Sequence, residues 1–442
     1  MEGNRFVKNT SWILFGQIIK IFVSFIINIL VVRYLGPTNY GVINYVNSYI
    51  AFFTTLIGLG MNGVIIYEFV NYREEENAII GTAIALRAVI GIISVLSFVV
   101  LINLTDGNDT IIKTAAYLQA IQLPFLCLDT INYWYQSILK SKYSVIAQIV
   151  AHAVSSAFKL FLMLTDCGVE LFNLAISLDA IVLGLSYWLF YRKHSSGIMC
   201  FRRHVAYRLL KGCFPFILAN MMVVIYGQID KIMIKQLMSS ETQVGLYSAA
   251  ITICGYIGFI PLALLDSGRP IIAEAKQKGD DFFSHRFKQL ASGIIWICIL
   301  YSIIITLFSD ILIKTLYGEQ YLDSSACLKI AVWYTAFSYL GSARSMWLIC
   351  EKKNRFVFIF SFMGAFSNVI MNWTMIPIWG INGAAIATLV TQILANFLFP
   401  AFFTDTRTYS SLVYQAFLLR GVNTKELIAP FINKAKYIFK KV

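Results

Sequence analysis

The chain has 442 residues, 58% hydrophobic, 15% aromatic and only 13% charged, and its mean hydropathy is +0.70. A soluble protein of that composition would leave large apolar patches in water, so lipid is its solvent. A formal net charge of +13 would point to nucleic acid in a soluble protein; here the bias of basic residues toward one membrane side, and anionic headgroups, account for it, which excludes nucleic acid as a partner.

Apolar stretches of about 20 residues, the length that crosses a bilayer, recur at 11–32, 45–70, 79–101, 115–139, 143–164 and 171–191, then at 213–237, 244–266, 290–308, 325–350, 356–376 and 381–403. They lack the period-two alternation of barrel strands, so the predicted fold is an all-α polytopic membrane protein of about 12 transmembrane helices. The first stretch follows Arg5 and Lys8 but is too long for a signal peptide and lacks an A-x-A site, so it is expected to remain as a helix. Of the 36 Lys and Arg, about 26 fall in gaps on the side of the N-terminus, about 5 opposite and about 5 inside spans. Both termini are therefore expected in the cytoplasm. The densest basic gaps hold Arg192, Lys193, Arg202, Arg203, Arg208 and Lys211, and then Arg269, Lys276, Lys278, Arg286 and Lys288.

The basic gap 192–212 divides the chain into an N-terminal lobe, 1–191, and a C-terminal lobe, 213–403, of six spans each. A tail, 404–442, follows, in which Leu427, Ile428, Phe431 and Ile432 alternate with Lys434 and Lys436, and which is expected to lie as a cationic amphipathic helix on the cytoplasmic surface. Val32-Arg33-Tyr34-Leu35 with Tyr40-Gly41-Val42 after the first span is echoed by Ile234-Lys235-Gln236-Leu237 with Val244-Gly245-Leu246-Tyr247 after the seventh. With an even number of spans per half, both copies face the same way, and the repeat axis lies along the membrane normal.

Eight cysteines are scattered without C-x-x-C or Cys/His spacing, and the four histidines, His152 among them, stand apart and are expected as packing or loop residues. No phosphate-cradling loop, nucleophile elbow or paired-acid motif is present, so the chain is expected to be neither an enzyme nor dependent on a metal or cofactor.

Five cations fall inside spans: Lys20, Arg87, Lys159, Lys231 and Arg344. Each costs about 2.5–3.5 kcal/mol at a helix centre, which calls for a hydrated cavity or acidic partners. Gln17, Ser24 and Asn28 share a helix face with Lys20, and Asn220 and Gln228 share one with Lys231, so spans one and seven are expected to wall a positive cleft suited to a diphosphate. Gln119, Gln122, Asp129, Asn132 and Gln136 form a polar row on span four, as do Thr388, Gln392 and Asn396 on span twelve. Tyr133, Trp134 and Tyr135 serve either sugar stacking or packing. The acids at depth, Glu68, Asp129, Asp179, Asp230 and Asp266, serve as charge partners or couple entry of a proton or sodium ion.

Four segments read in order carry a resemblance: Arg33-Tyr34-Leu35-Gly36-Pro37 with Tyr40-Gly41; Gly58-Leu59-Gly60; Asp230-Lys231-Ile232-Met233-Ile234 running on to Val244-Gly245-Leu246-Tyr247 with Ala249-Ala250; and Pro377 to Thr388. Together they resemble the polysaccharide biosynthesis flippases of the O-antigen type, in the superfamily that also holds multidrug and toxin extrusion exporters and lipid II flippases. The resemblance covers essentially the whole chain. It implies a V-shaped pair of six-helix lobes in the bacterial cytoplasmic membrane that moves undecaprenyl-diphosphate-linked oligosaccharide between leaflets by alternating access. A polysaccharide polymerase and chain-length regulator would be its partners, and coupling to a proton or a sodium gradient is left open. The alternatives are a lipid II-type flippase, a cation or drug exporter of the same architecture and, from another class, a membrane polysaccharide polymerase or glycosyltransferase. The sign of Lys20 and Arg87 favours anionic cargo, and the short external gaps disfavour a polymerase. The motifs also have local reasons. Gly36-Pro37 ends a helix because proline lacks a donor and restricts its predecessor, and Gly383, Ala384, Ala385 and Ala387 allow close helix approach.

Overall fold

The computed structural model describes residues 2–195 and 197–420, so the tail helix expected around Leu427 to Lys441 lies outside the described residues. The described secondary structure is helical throughout, as it must be where each backbone polar group needs an internal partner. Nine described helical stretches are long and apolar enough to cross a membrane. The stretches Ile19–Asn71 and Arg355–Phe402 each hold two of the expected spans. The expected tenth span is broken into two shorter helices, neither of which is among the nine.

Two compact units make up the chain. The first takes the described residues to Leu246 with Leu316–Gln320, and the second takes Tyr247–Thr315 with the described residues from Tyr321. The helices in order are α1 (Glu2–Gly58), α2 (Met61–Asn71), α3 (Glu76–Thr105), α4 (Thr110–Ala120), α5 (Gln122–Phe125), α6 (Thr130–Ser137), α7 (Lys142–Leu164), α8 (Val169–His194), α9 (Arg203–Met238) and α10 (Glu241–Gly255). There follow α11 (Phe259–Lys278), α12 (Asp280–Leu316), α13 (Ser324–Ala331), α14 (Tyr334–Cys350), α15 (Arg355–Ile393), α16 (Phe399–Phe402) and α17 (Arg407–Phe417). α9, the seventh span, packs chiefly against α1 within the first unit.

Each unit has its own core. In the first, Ile65, Phe69, Ile79, Ile80, Trp134, Tyr135, Tyr187, Tyr191 and Leu209 are buried together. Trp134 and Tyr135 are thus packing residues, stacked edge-on with each other and, for Trp134, with Tyr191. In the second, Phe283, Phe287, Trp347, Phe356, Phe360 and Tyr409 form the centre. α17 lays Tyr409, Leu412, Val413 and Ala416 into that core, so the first turns after residue 404 are a docked amphipathic helix. Large apolar side chains such as Leu96, Leu104, Leu307, Trp373 and Ile378 point outward, as lipid-facing residues do.

The helix breaks fall where the sequence places Gly and Pro. Gly36 takes φ 70° and ψ 172°, interrupting α1, and Pro37 starts the next helical run, a position where its missing N–H costs nothing. Gly380 breaks α15 in the same way at φ 58°. The sequence echo has a physical counterpart inside the first unit. An added Cβ on Gly41 would lie 1.8 Å from the Glu241 carbonyl oxygen, and one on Gly245 would lie 1.8 Å from the Pro37 carbonyl oxygen. The hydroxyls of Thr38 and Thr242 share a 2.8 Å hydrogen bond. All three pairs follow one sequence offset with the roles exchanged, so the repeat meets itself across a local twofold. Only glycine permits that approach.

The basic gap before α9 is not a free linker. Cys200 N donates to Asn77 O, and Arg202 N donates to Thr82 Oγ1, tying the chain to the start of α3.

Candidate functional site

A cavity of about 440 Å³ opens within the first unit. Its walls come from the end of α1 (Thr54, Thr55, Gly58), from α3 (Arg87), from the broken stretch around α5 and α6 (Phe125, Leu126, Asp129, Tyr133), from α8 (Ala180, Leu183, Gly184, Tyr187) and from α9 (Asn220, Val223, Val224). Aliphatic groups and phenol rings supply most of this lining, with a few convergent polar groups, the usual composition of a small-ligand site.

Arg87 lies at the centre of this construction. It is 4% exposed. Its Nε donates to Ile57 O at 3.0 Å and one terminal nitrogen to Thr130 Oγ1 at 2.9 Å, while Thr130 Oγ1 donates in turn to Cys127 O at 2.8 Å. Ile57 is one residue from the end of α1, and Cys127 and Thr130 flank the break before α6. The guanidinium therefore ties the Ile57 carbonyl in the last turn of α1 to the Thr130 hydroxyl at the start of α6. Asp129 is only partly buried, with the Tyr133 hydroxyl beside it. Gln148 Nε2 donates to the Tyr187 hydroxyl at 3.1 Å, orienting that phenol.

A second polar group joins α1, α7 and α8. Ser24 Oγ and His152 Nε2 share a 2.7 Å hydrogen bond, and His152 Nδ1 lies 3.2 Å from Asp179 Oδ1. Lys159, on α7 with His152, feels the Asp179 charge. His152, expected as a packing or loop residue, instead bridges a hydroxyl and a carboxylate. The three partners come from distant segments, and no local spacing links them.

A third cluster sits where α2 meets α9. Arg208 donates to Glu68 and to Glu75, each at 2.7 Å, and stacks over Tyr72 with 4.0 Å to the ring centroid. His204 Nε2 lies 3.0 Å from Glu75 Oε1. Burial alone would lower the Arg208 pKa, but the bonds from Glu75 and Glu68 outweigh it and hold the guanidinium above its ordinary value. Glu68 is thus a charge partner.

The remaining expected residues fall as follows. Lys20 and Gln17 are exposed on α1, and Asn28 is half-buried. Lys231 Nζ donates to Gln228 Oε1 at 3.2 Å, and the neighbouring Asp230 is buried. Asn220 reaches the cavity. Asp266 is exposed and lies 3.5 Å from Arg269 on its own helix. In the second unit Arg344 is buried, donates to the Ala395 carbonyl inside the π-helical turn Leu394–Leu398, and stands 5.3 Å from the Phe360 ring centroid. Asn396 donates to Gln392 at 2.6 Å, and Tyr247 and Thr388 share a 3.4 Å hydroxyl contact. Of the five expected cations, the cavity gathers Arg87 alone, together with Asp129 and Asn220. Tyr187 and Thr54 complete it without any sequence signal.

The family described as polysaccharide biosynthesis protein matches residues 6–262, and the MatE family matches residues 215–374. No curated protein matches the chain. Among solved structures, the inward closed conformation of the lipid II flippase MurJ aligns at 15% identity over 93% of this chain and 92% of that one, with a TM-score of 0.71. The inward-facing conformation of a multidrug resistance MATE family transporter of the MOP superfamily aligns at 14% identity over 89% and 96%, with a TM-score of 0.67. A MOP superfamily transporter from Pyrococcus furiosus, described by the reverse polarity of its binding pocket, aligns at 14% identity over 93% and 96%, with a TM-score of 0.60. At such identities the likeness establishes the shared fold.

Proposed function

Because the chain belongs to the polysaccharide biosynthesis protein family, we propose that it is a flippase which carries undecaprenyl-diphosphate-linked oligosaccharide across the bacterial cytoplasmic membrane by alternating access, for O-antigen or another surface polysaccharide. The observation that carries this reading is the cavity holding Arg87, Asp129 and Asn220 inside a bundle that otherwise turns apolar side chains outward. The bilayer core offers polar groups no solvent, so such a hollow is maintained for water or cargo. Transport of this kind makes and breaks no covalent bond. The bias of basic residues toward one side supports a cytoplasmic position for both termini.

In this reading Lys20 and Lys231 meet the diphosphate as mobile point charges, while Arg87, Lys159 and Arg344 add fixed positive potential within their own units. The Ser24, His152 and Asp179 group takes up the coupling ion. A polysaccharide polymerase and a chain-length regulator receive the translocated unit.

The test is reconstitution of the full chain in liposomes with a lipid-linked oligosaccharide in both leaflets, followed by an impermeant reagent that modifies the sugar. The expected result is protein-dependent exposure of the inner pool with no change in glycan length. Chain extension would mean a polymerase, and exposure of lipid II in place of the oligosaccharide would move the protein to the other flippase branch. Replacing both Lys20 and Lys231 by Ala should abolish exposure while leaving the protein folded in the membrane; full transport by that variant removes the two lysines from the site.

A further inference from the structure

The cavity wall carries one formal cation and one formal anion, Arg87 and Asp129, so its charges cancel. Their accessibility differs. The guanidinium is 4% exposed, and its Nε and a terminal nitrogen already donate to Ile57 and Thr130. The carboxylate is only partly buried and is an acceptor at both oxygens. A diphosphate entering here would meet a like charge at the accessible wall, in a medium of low dielectric where repulsion is strong. A sugar ring meets the opposite situation. Two neighbouring hydroxyls can donate to one carboxylate, and the bonds gain strength because the acceptor is charged. The hydroxyls of Tyr133, Tyr187 and Thr54 and the amide of Asn220 offer further partners, and the phenol rings give an apolar surface to the ring's C–H face.

We propose that this cavity is a subsite for an uncharged sugar ring of the transported glycan, with the Asp129 carboxylate accepting its hydroxyls, and that the diphosphate is held elsewhere on the protein. Arg87 is then a positioning residue that fixes the broken helix carrying Asp129. The inference rests on the flippase reading above and deepens it, since it assigns the uncharged part of the cargo to a place where composition pointed to the charged part.

The experiment compares wild type with Asp129→Asn and, from the opposite wall, Asn220→Leu, using the purified full chain and two kinds of probe. The neutral probes are glucose, galactose and N-acetylglucosamine; the charged probe is inorganic pyrophosphate. At least one neutral sugar should raise the melting temperature of wild type. Asp129→Asn should weaken that binding about tenfold or more, the loss expected when charge-assisted hydrogen bonds go, and leave pyrophosphate binding unchanged. Asn220→Leu, which leaves both cavity charges in place, should weaken sugar binding as well, and Asp129→Glu should restore part of it. The proposal is overturned if Asp129→Asn tightens pyrophosphate binding, because removing a carboxylate from a diphosphate site does that. It is equally overturned if no neutral sugar stabilises wild type, or if both variants bind sugar as wild type does. The liposome assay separates the two claims. Wild type that exposes no lipid-linked glycan sinks the flippase reading, whereas wild type that transports while Asp129→Asn transports and binds sugar equally well sinks this inference alone.

Discussion

Replacing Gly41 by Ala puts the self-contact of the two repeats under direct strain. Its Cβ would stand 1.8 Å from the Glu241 carbonyl oxygen and 2.7 Å from the carbonyl carbon. Both obstacles are backbone, so no rotamer change relieves them, and the seam must open by about 1.6 Å to reach ordinary contact near 3.4 Å. An opening of that size carries the 2.8 Å bond between Thr38 and Thr242 out of hydrogen-bonding range. Overpacking costs about 1–3 kcal/mol and the lost bond about 1 kcal/mol, giving about 2–4 kcal/mol in all. In a unit of this size that is a fall of at least about 4 °C in the apparent melting temperature of detergent-purified protein. Gly227→Ala is the control. Gly227 lies within α9 with nothing near its missing Cβ, so alanine there should be neutral or stabilising on helix propensity alone. Because Gly41 and Gly245 close one seam, the double alanine variant should lose less than the sum of the singles. A Gly41→Ala protein melting with wild type, or additive losses in the double, would refute the seam.

Three other outcomes follow from the same reasoning. Arg208→Met leaves the Glu68 carboxylate, 7% exposed at its side chain against 27% for Arg208, without its bonded cation; thermal melting should show a loss of about 1–2 kcal/mol after allowance for solvent screening, and adding Glu68→Gln should recover part of it. Arg87→Lys keeps the charge but not the fork that reaches Ile57 and Thr130 together; transport in liposomes and melting should both suffer, by about 2–3 kcal/mol in stability, and wild-type behaviour would show that charge alone matters there. An alkylating maleimide applied to native protein in detergent should modify exposed Cys200 and spare Cys127, Cys213, Cys254, Cys298 and Cys327, which are buried; peptide mapping reads the result, and rapid labelling of any of the five would contradict the packing of its unit.

Hydropathy placed the apolar stretches that become the long helices, because a bilayer demands about 20 apolar residues per helix whatever those helices later touch. Gly36-Pro37 and Pro377 to Gly380 marked the breaks for an equally local reason, since φ limits belong to the residue itself. The echo of Gly41 at Gly245 was legible as a repeat, though not as a contact. Periodicity also said which face of α1 holds Lys20, Gln17 and Ser24. It did not say that Ser24 meets His152, or that Asp179 completes the set from α8.

Five intramembrane cations read alike on paper, each a charge needing a partner. Packing separated them: Arg87 was committed to the Ile57 carbonyl and the Thr130 hydroxyl at two helix ends, Arg344 to a carbonyl in a π turn, and Lys20 left exposed. The partners that decide between a structural and a ligand-facing charge lie on other helices, dozens to hundreds of residues away along the chain. A side chain's chemistry is written in its own letter and its helix face in its neighbours, but the group it meets is set only when the helices dock.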